Sequence, residues 1–152
     1  MKSTGLIKHV TIAFIAALVL YAISYTWIEH RRNRAGPWEA TFTRDSAGNP
    51  TLIINQPSLA ITNLQISFAN EPAPATNFPQ TIRFDQPQKV PFDVPLGKCI
   101  FMDTTFLPGT IVFSMYGHEI QLILRVLTVD GKEIAWQSNT NIVLAAPVSR
   151  QP

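Results

Sequence analysis

Hydrophobic and polar positions follow two different rules on either side of residue 36. Before it, Val10 to Ile28 reads VTIAFIAALVLYAISYTWI, 19 residues without a charge. At ~1.5 Å per residue a helix of that length spans ~28 Å, close to a ~30 Å hydrocarbon core. The run predicts one N-terminal transmembrane helix over 10–28. Residues 1–9 form a short basic tail before it, and 29–37 a basic juxtamembrane linker that ends at the breaker Ala35-Gly36-Pro37. Tyr21, Tyr25 and Trp27 lie towards one end of the run and Arg31, Arg32 and Arg34 follow it, the composition of a membrane interface. Ala13 and Ala17, four apart, share a face on which a second helix can approach closely.

Beyond residue 36 the period becomes two. Trp38, Ala40 and Phe42 alternate with Glu39, Thr41 and Thr43, a half-buried strand. Asp45 to Pro50 is turn chemistry, and Thr51 to Asn55 reads as a second strand. In the third, Leu59 to Phe68, the apolar parity slips at Thr62-Asn63, which predicts a one-residue bulge. A proline-rich loop over 69–80 leads to a short strand, Thr81 to Phe84. Pro87, Pro91 and Pro95 confine the next segment to an edge or an extended loop. Lys98 to Phe106 and Thr110 to Tyr116 are strands on either side of Leu107-Pro108-Gly109. The alternation from Glu119 to Val129 predicts one long strand, and Asp130-Gly131 a type I′ turn into a return strand ending at Trp136. Asn141 to Ala145 adds a last strand, and 148–152 a frayed tail. The expectation is an all-β domain over 38–147: an antiparallel two-sheet β-sandwich, immunoglobulin-like or jelly-roll-like, with a small barrel as the alternative.

Charge sharpens the picture. Residues 1–35 carry Lys2, Lys8, Arg31, Arg32 and Arg34 against Glu29, a balance of +4, whereas the remainder holds 7 basic and 9 acidic residues, a balance of −2. The basic charge therefore flanks the apolar run, where lipid headgroups are its partner, and the domain lacks the basic face that nucleic acid requires. Cys99 is the only cysteine, so no disulfide framework forms. Ala22-Ile23-Ser24 offers a small-x-small cleavage site, but the apolar run continues past it and positive charge follows, so a retained signal-anchor is expected. Counting flanking cations favours a cytoplasmic domain by one residue. The lysine-poor, Thr/Asn/Gln-rich surface favours export, which gives a bacterial inner membrane with the domain on the periplasmic side.

Catalytic chemistry is thin. The domain's one histidine is His118, and no nucleophile elbow, Walker loop or dinucleotide fingerprint is present. Asp85, Asp93, Asp103 and Glu119 are the acids that an acid/base pair would draw on. Cys99-x-x-Met102 and Met115-x-x-His118 form a soft-ligand set suited to copper, although a blue-copper centre needs two histidines and residues three apart on a regular strand face opposite ways. Cysteine and methionine are also ordinary core residues, and core packing is the favoured explanation of both pairs. The turn Tyr116-Gly117-His118-Glu119 is the expected contact loop for a partner. The sequence thus predicts a non-catalytic accessory, structural or assembly subunit of a larger membrane complex, with no cofactor. A tethered binding module for a small molecule, glycan or metal is the alternative, and an enzyme the third reading.

Overall fold

The computed structural model describes residues 3–33, 35–75 and 77–147. They form two compact units, one ending at Arg34 and one beginning at Ala35. The first is a single helix, α1 (Ser3–Asn33). It is longer than the predicted span at both ends: part of the basic tail and of the linker is helical, because no proline interrupts the i→i−4 ladder before Pro37. The stretch Gly5–His30 is 26 residues long with a mean hydropathy of 2.2 in its most apolar window, long and apolar enough to cross a membrane. Its described apolar side chains are exposed all round, so the helix does not bury them itself. The hydroxyls of Thr11 and Thr26 donate one turn back, to the carbonyls of Ile7 (2.9 Å) and Ala22 (2.6 Å), which removes their need for water. Tyr21 and Tyr25 stack at 6.2 Å. Arg34 and the tail 148–152 lie outside the described residues, as do the side chains of Arg31 and Arg32.

The second unit is β throughout. One sheet contains β1 (Glu39–Arg44), β2 (Pro50–Gln56), β3 (Ile61–Ala69), β4 (Gln80–Arg83) and β11 (Asn141–Ala145), in the order β11-β3-β2-β1-β4. The other is a consecutive meander of β5 (Phe92–Val94), β6 (Gly97–Asp103), β7 (Thr110–Met115), β8 (His118–Leu122), β9 (Leu127–Val129) and β10 (Lys132–Ile134). In the first sheet β4 returns by a long connection to lie beside β1, a Greek-key order for β1–β4. One hydrophobic cluster draws on both sheets: Phe42, Leu52, Ile54, Ile66 and Phe68 from one, Cys99, Ile111, Phe113, Ile120 and Leu122 from the other. Phe113 meets Phe42 and Phe84 edge-on at 6.4 and 5.4 Å, an arrangement that adds to the area it buries. The fold is therefore sandwich-like, with one N-terminal apolar helix.

Local sequence explains most of this. The parity slip at Thr62-Asn63 is a bulge: Ile54 pairs with Leu64 and Gln56 with Ile61, so two residues of β3 oppose Asn55. Asn63 takes a positive φ there, and Ile61, Leu64, Ile66 and Phe68 all reach the core. Asp130 and Gly131 have φ of 50° and 75°, as a type I′ turn requires. The proline-spaced segment supplies β5, an edge strand.

Two expectations need correction. The long strand over 119–129 is two strands: the chain leaves β8 at Leu122, turns back through 123–126, and pairs again as β9, with Ile120 opposite Val129 and Leu122 opposite Leu127. The four-residue turn carries no glycine or proline. Its carbonyl at Ile123 accepts the indole N–H of Trp136 at 2.9 Å, a tertiary contact that no local signal announces. The sheets are also not wholly antiparallel, because β11 pairs with β3 in parallel. The chain crosses from the meander to the other sheet through 135–140 and enters β11 at the same end at which β3 begins.

Candidate functional site

The sandwich has two ends, and they carry different chemistry. The Trp38 end gathers Ala35 to Trp38, the β2–β3 turn, and the turns after β6 and β8. Trp38 is fully buried, stacks on Trp136 at 5.1 Å, and donates its indole N–H to the Gly109 carbonyl at 2.9 Å. Beside it, Gln56 uses its whole amide. Nε2 donates to the carbonyls of Gly36 (3.1 Å) and Pro37 (3.0 Å), and Oε1 accepts from the Ser58 N–H (3.2 Å) and Ser58 hydroxyl (2.9 Å). The single Ser58 hydroxyl proton is shared between Gln56 Oε1 and the Ala35 carbonyl. The segment that leads out of the linker is thereby stitched to the head before the first strand begins. At the same end an open groove of about 850 Å³ is lined by Ile123, Leu124, Arg125, Val126, Glu133 and Ala135.

The opposite end is built around His118. The β7–β8 turn, Tyr116-Gly117, has positive φ at both residues. It brings Met115 opposite His118 and turns the imidazole inwards. Its Nδ1 lies 2.6 Å from Asp130 Oδ2 and its Nε2 3.0 Å from the Ala145 carbonyl oxygen. The other carboxylate oxygen of Asp130 accepts the Glu119 N–H at 2.9 Å. Burial pushes the Asp130 carboxyl up, but the hydrogen bonds from His118 and Glu119, with the charges of His118 and Lys132, outweigh it and hold the group below its usual range. The Tyr116 ring packs on Phe68 at 5.0 Å, and its hydroxyl donates to the Pro72 carbonyl at 3.0 Å. Burial, then the nearby charge of Glu71, pushes that phenol up.

Of the expected contact loop, only Glu119 has an exposed side chain, and it accepts from the Gln121 amide. His118 and Tyr116 spend their polar atoms inside the domain. The soft-ligand set does not gather at one point. The bulge between Cys99 and Phe101 lets both Cys99 and Met102 contact the core, and His118 sits opposite Met115. Yet Met102 pairs with Ile111, four residues along β7 from Met115, which is ~13 Å at strand rise and far beyond two ligand bonds. Burial pushes the Cys99 thiol up to about 11, and its Sγ contacts the Phe101 carbonyl at 3.4 Å, so the thiolate that a metal or an electrophile needs is disfavoured. Asp93 pairs with Lys98 and Asp103 caps its own turn at the Thr105 N–H, while Asp85 lines a small open hollow with Asp103. Ala13 and Ala17 sit in the exposed middle of α1.

Sequence reasoning missed Gln56, Ser58 and Asp130 as site-forming residues. Asp130 carried only a turn signal, and its partner, 12 positions away, is fixed by the β8–β9 register.

The chain is thus an apolar helix followed by a sandwich-like head whose polar clusters tie strands and linker together. Comparison with family models, with curated proteins and with solved structures finds no match.

Proposed function

We propose that this chain is a single-pass, membrane-anchored β protein serving as a non-catalytic accessory, structural or assembly subunit of a larger membrane complex. Its head stands on the periplasmic side of a bacterial inner membrane, and its partners are the bilayer and other membrane subunits. The head is an immunoglobulin-like or jelly-roll-like sandwich, a reading supported by the Greek-key order of β1–β4. The observation that carries the function is α1, with its 26-residue apolar stretch. A helix apolar on every face finds its solvent in lipid or against other helices. The head offers little to a reaction: its one histidine is bound at both nitrogens, and its one thiol is buried. Ala13 and Ala17 provide a close-approach face for a partner helix.

The test is extraction of the full-length chain in mild detergent, with native mass spectrometry of the purified material. The reading expects a defined complex with integral membrane proteins that weakens when Ala13 and Ala17 are replaced by leucine. A monodisperse lone chain, or release by alkaline carbonate, overturns it. The groove along 123–126 favours a second reading, a tethered module that binds a small apolar ligand. Leu124→Asp should abolish such binding and leave the complex intact.

A further inference from the structure

We infer that His118 is a pH-operated latch on β11: protonated at both ring nitrogens it ties the end of that strand to the opposite sheet, and loss of one proton frees it. Asp130 Oδ2, 2.6 Å from Nδ1, belongs to an ionised carboxylate, and the Ala145 oxygen, 3.0 Å from Nε2, is a backbone carbonyl. Both can only accept. A neutral imidazole has one N–H, so it can serve one of them and must turn a lone pair towards the other. Only the imidazolium donates to both. The side chain is 7% exposed, so water is poorly placed to replace the bond that deprotonation breaks.

β11 lies at the edge of its sheet and pairs on one side only, with β3. Ile142 and Leu144 pack on the shared core, and its polar tie to the meander is at its end, where Nε2 meets Ala145 and Pro147 packs over Gly117, with its Cγ 2.9 Å from where a Cβ at that glycine would sit. The groups around the ring come from several elements. Asp130 comes from the β9–β10 turn, with Lys132 behind it. Glu119 follows His118 on β8, and Glu71, after β3, acts on Tyr116 beside the ring. β3 presents Phe68, its ring 6.2 Å away, β7 presents Met115, and β11 carries no charged residue.

The experiment uses the full-length chain in detergent micelles. Nitrogen-15 spectra of the His118 ring, assigned with His118→Asn, report its protonation at about pH 5.5 and about pH 8, on either side of the ordinary histidine range. Hydrogen exchange, corrected for the intrinsic effect of pH, reports the protection of β11 relative to β2. The latch expects both nitrogens protonated at the lower pH and about a tenfold or greater loss of relative β11 protection at the higher one, the scale of one charge-assisted hydrogen bond. In His118→Asn the β11 protection should be low and independent of pH. A ring that is neutral at the lower pH, or β11 protection that does not change across the range, overturns the inference. The wild-type titration decides alone if the variant does not fold.

Discussion

Replacing Gln56 with leucine keeps the volume of the side chain and removes its amide, and it should lower the melting temperature of the head by about 6–12 °C. Gln56 is 1% exposed, and its four hydrogen bonds join the carbonyls of Gly36 and Pro37 to the β2–β3 turn. A buried hydrogen bond contributes roughly 0.5–1.5 kcal/mol net, and more is lost when its partner is left without one. Four such bonds set an upper bound near 6 kcal/mol on that scale. The partners are only half shielded, however: Gly36 and Pro37 are intermediate in burial and Ser58 is exposed, so water recovers part of the loss. About 1.5–3 kcal/mol remains, and a domain of this size loses about 4 °C per kcal/mol. The assay is thermal unfolding of the full-length chain in detergent, followed by near-ultraviolet circular dichroism of the Trp38–Trp136 pair. Ser58→Ala, which removes only hydroxyl bonds, should cost a smaller part of the same shift. If Gln56→Leu melts within about 1 °C of wild type, the carbonyls of Gly36 and Pro37 are not held as the geometry implies.

Phe113→Ala removes a fully buried ring wedged between Phe42 and Phe84 and should destabilise the head by about 3–5 kcal/mol, read by denaturant titration. Cys99, fully buried with its thiol pushed up to about 11, should resist iodoacetamide at neutral pH in the folded protein and react once the protein is denatured, as mass spectrometry would show. The folded Asp130 carboxyl lies below its unfolded value, so its contribution is fully present above about pH 4 and is lost as pH falls through the folded value. Asp130→Asn should flatten that part of the acid limb in a pH series of denaturant midpoints. Gly109→Ala combines a φ of 78° with a clash against the Asp103 carbonyl at the turn that accepts the Trp38 indole, and should cost more than an ordinary surface change.

Several elements were legible because their signals are local. The apolar run of α1, the alternation in β1 and β7, the Asp130-Gly131 turn and the bulge at Thr62-Asn63 each follow from a few neighbouring residues. The break at 123–126 was not legible. Leu124 and Val126 continue the alternation of β8, and only the pairing of Leu122 with Leu127 and the capture of the Ile123 carbonyl by Trp136 turn the chain back. His118 was expected in a contact loop because Tyr116-Gly117-His118-Glu119 reads as a turn between two strands. Its burial depends on Asp130 and on Ala145, which the fold delivers from two other elements.

The order of apolar and polar residues alone determined that this protein has a helix long enough for a bilayer and a β-rich head, since both depend on periods that a short window contains. Tertiary structure decided which sheet each strand joined, that β11 runs parallel to β3, and which polar side chains are spent internally. The physical reason is that hydrogen-bond partners far apart in sequence meet only after strand register is set. Gln56 is 20 residues from Gly36 and His118 is 27 from Ala145, and no local pattern encodes a distance of that kind.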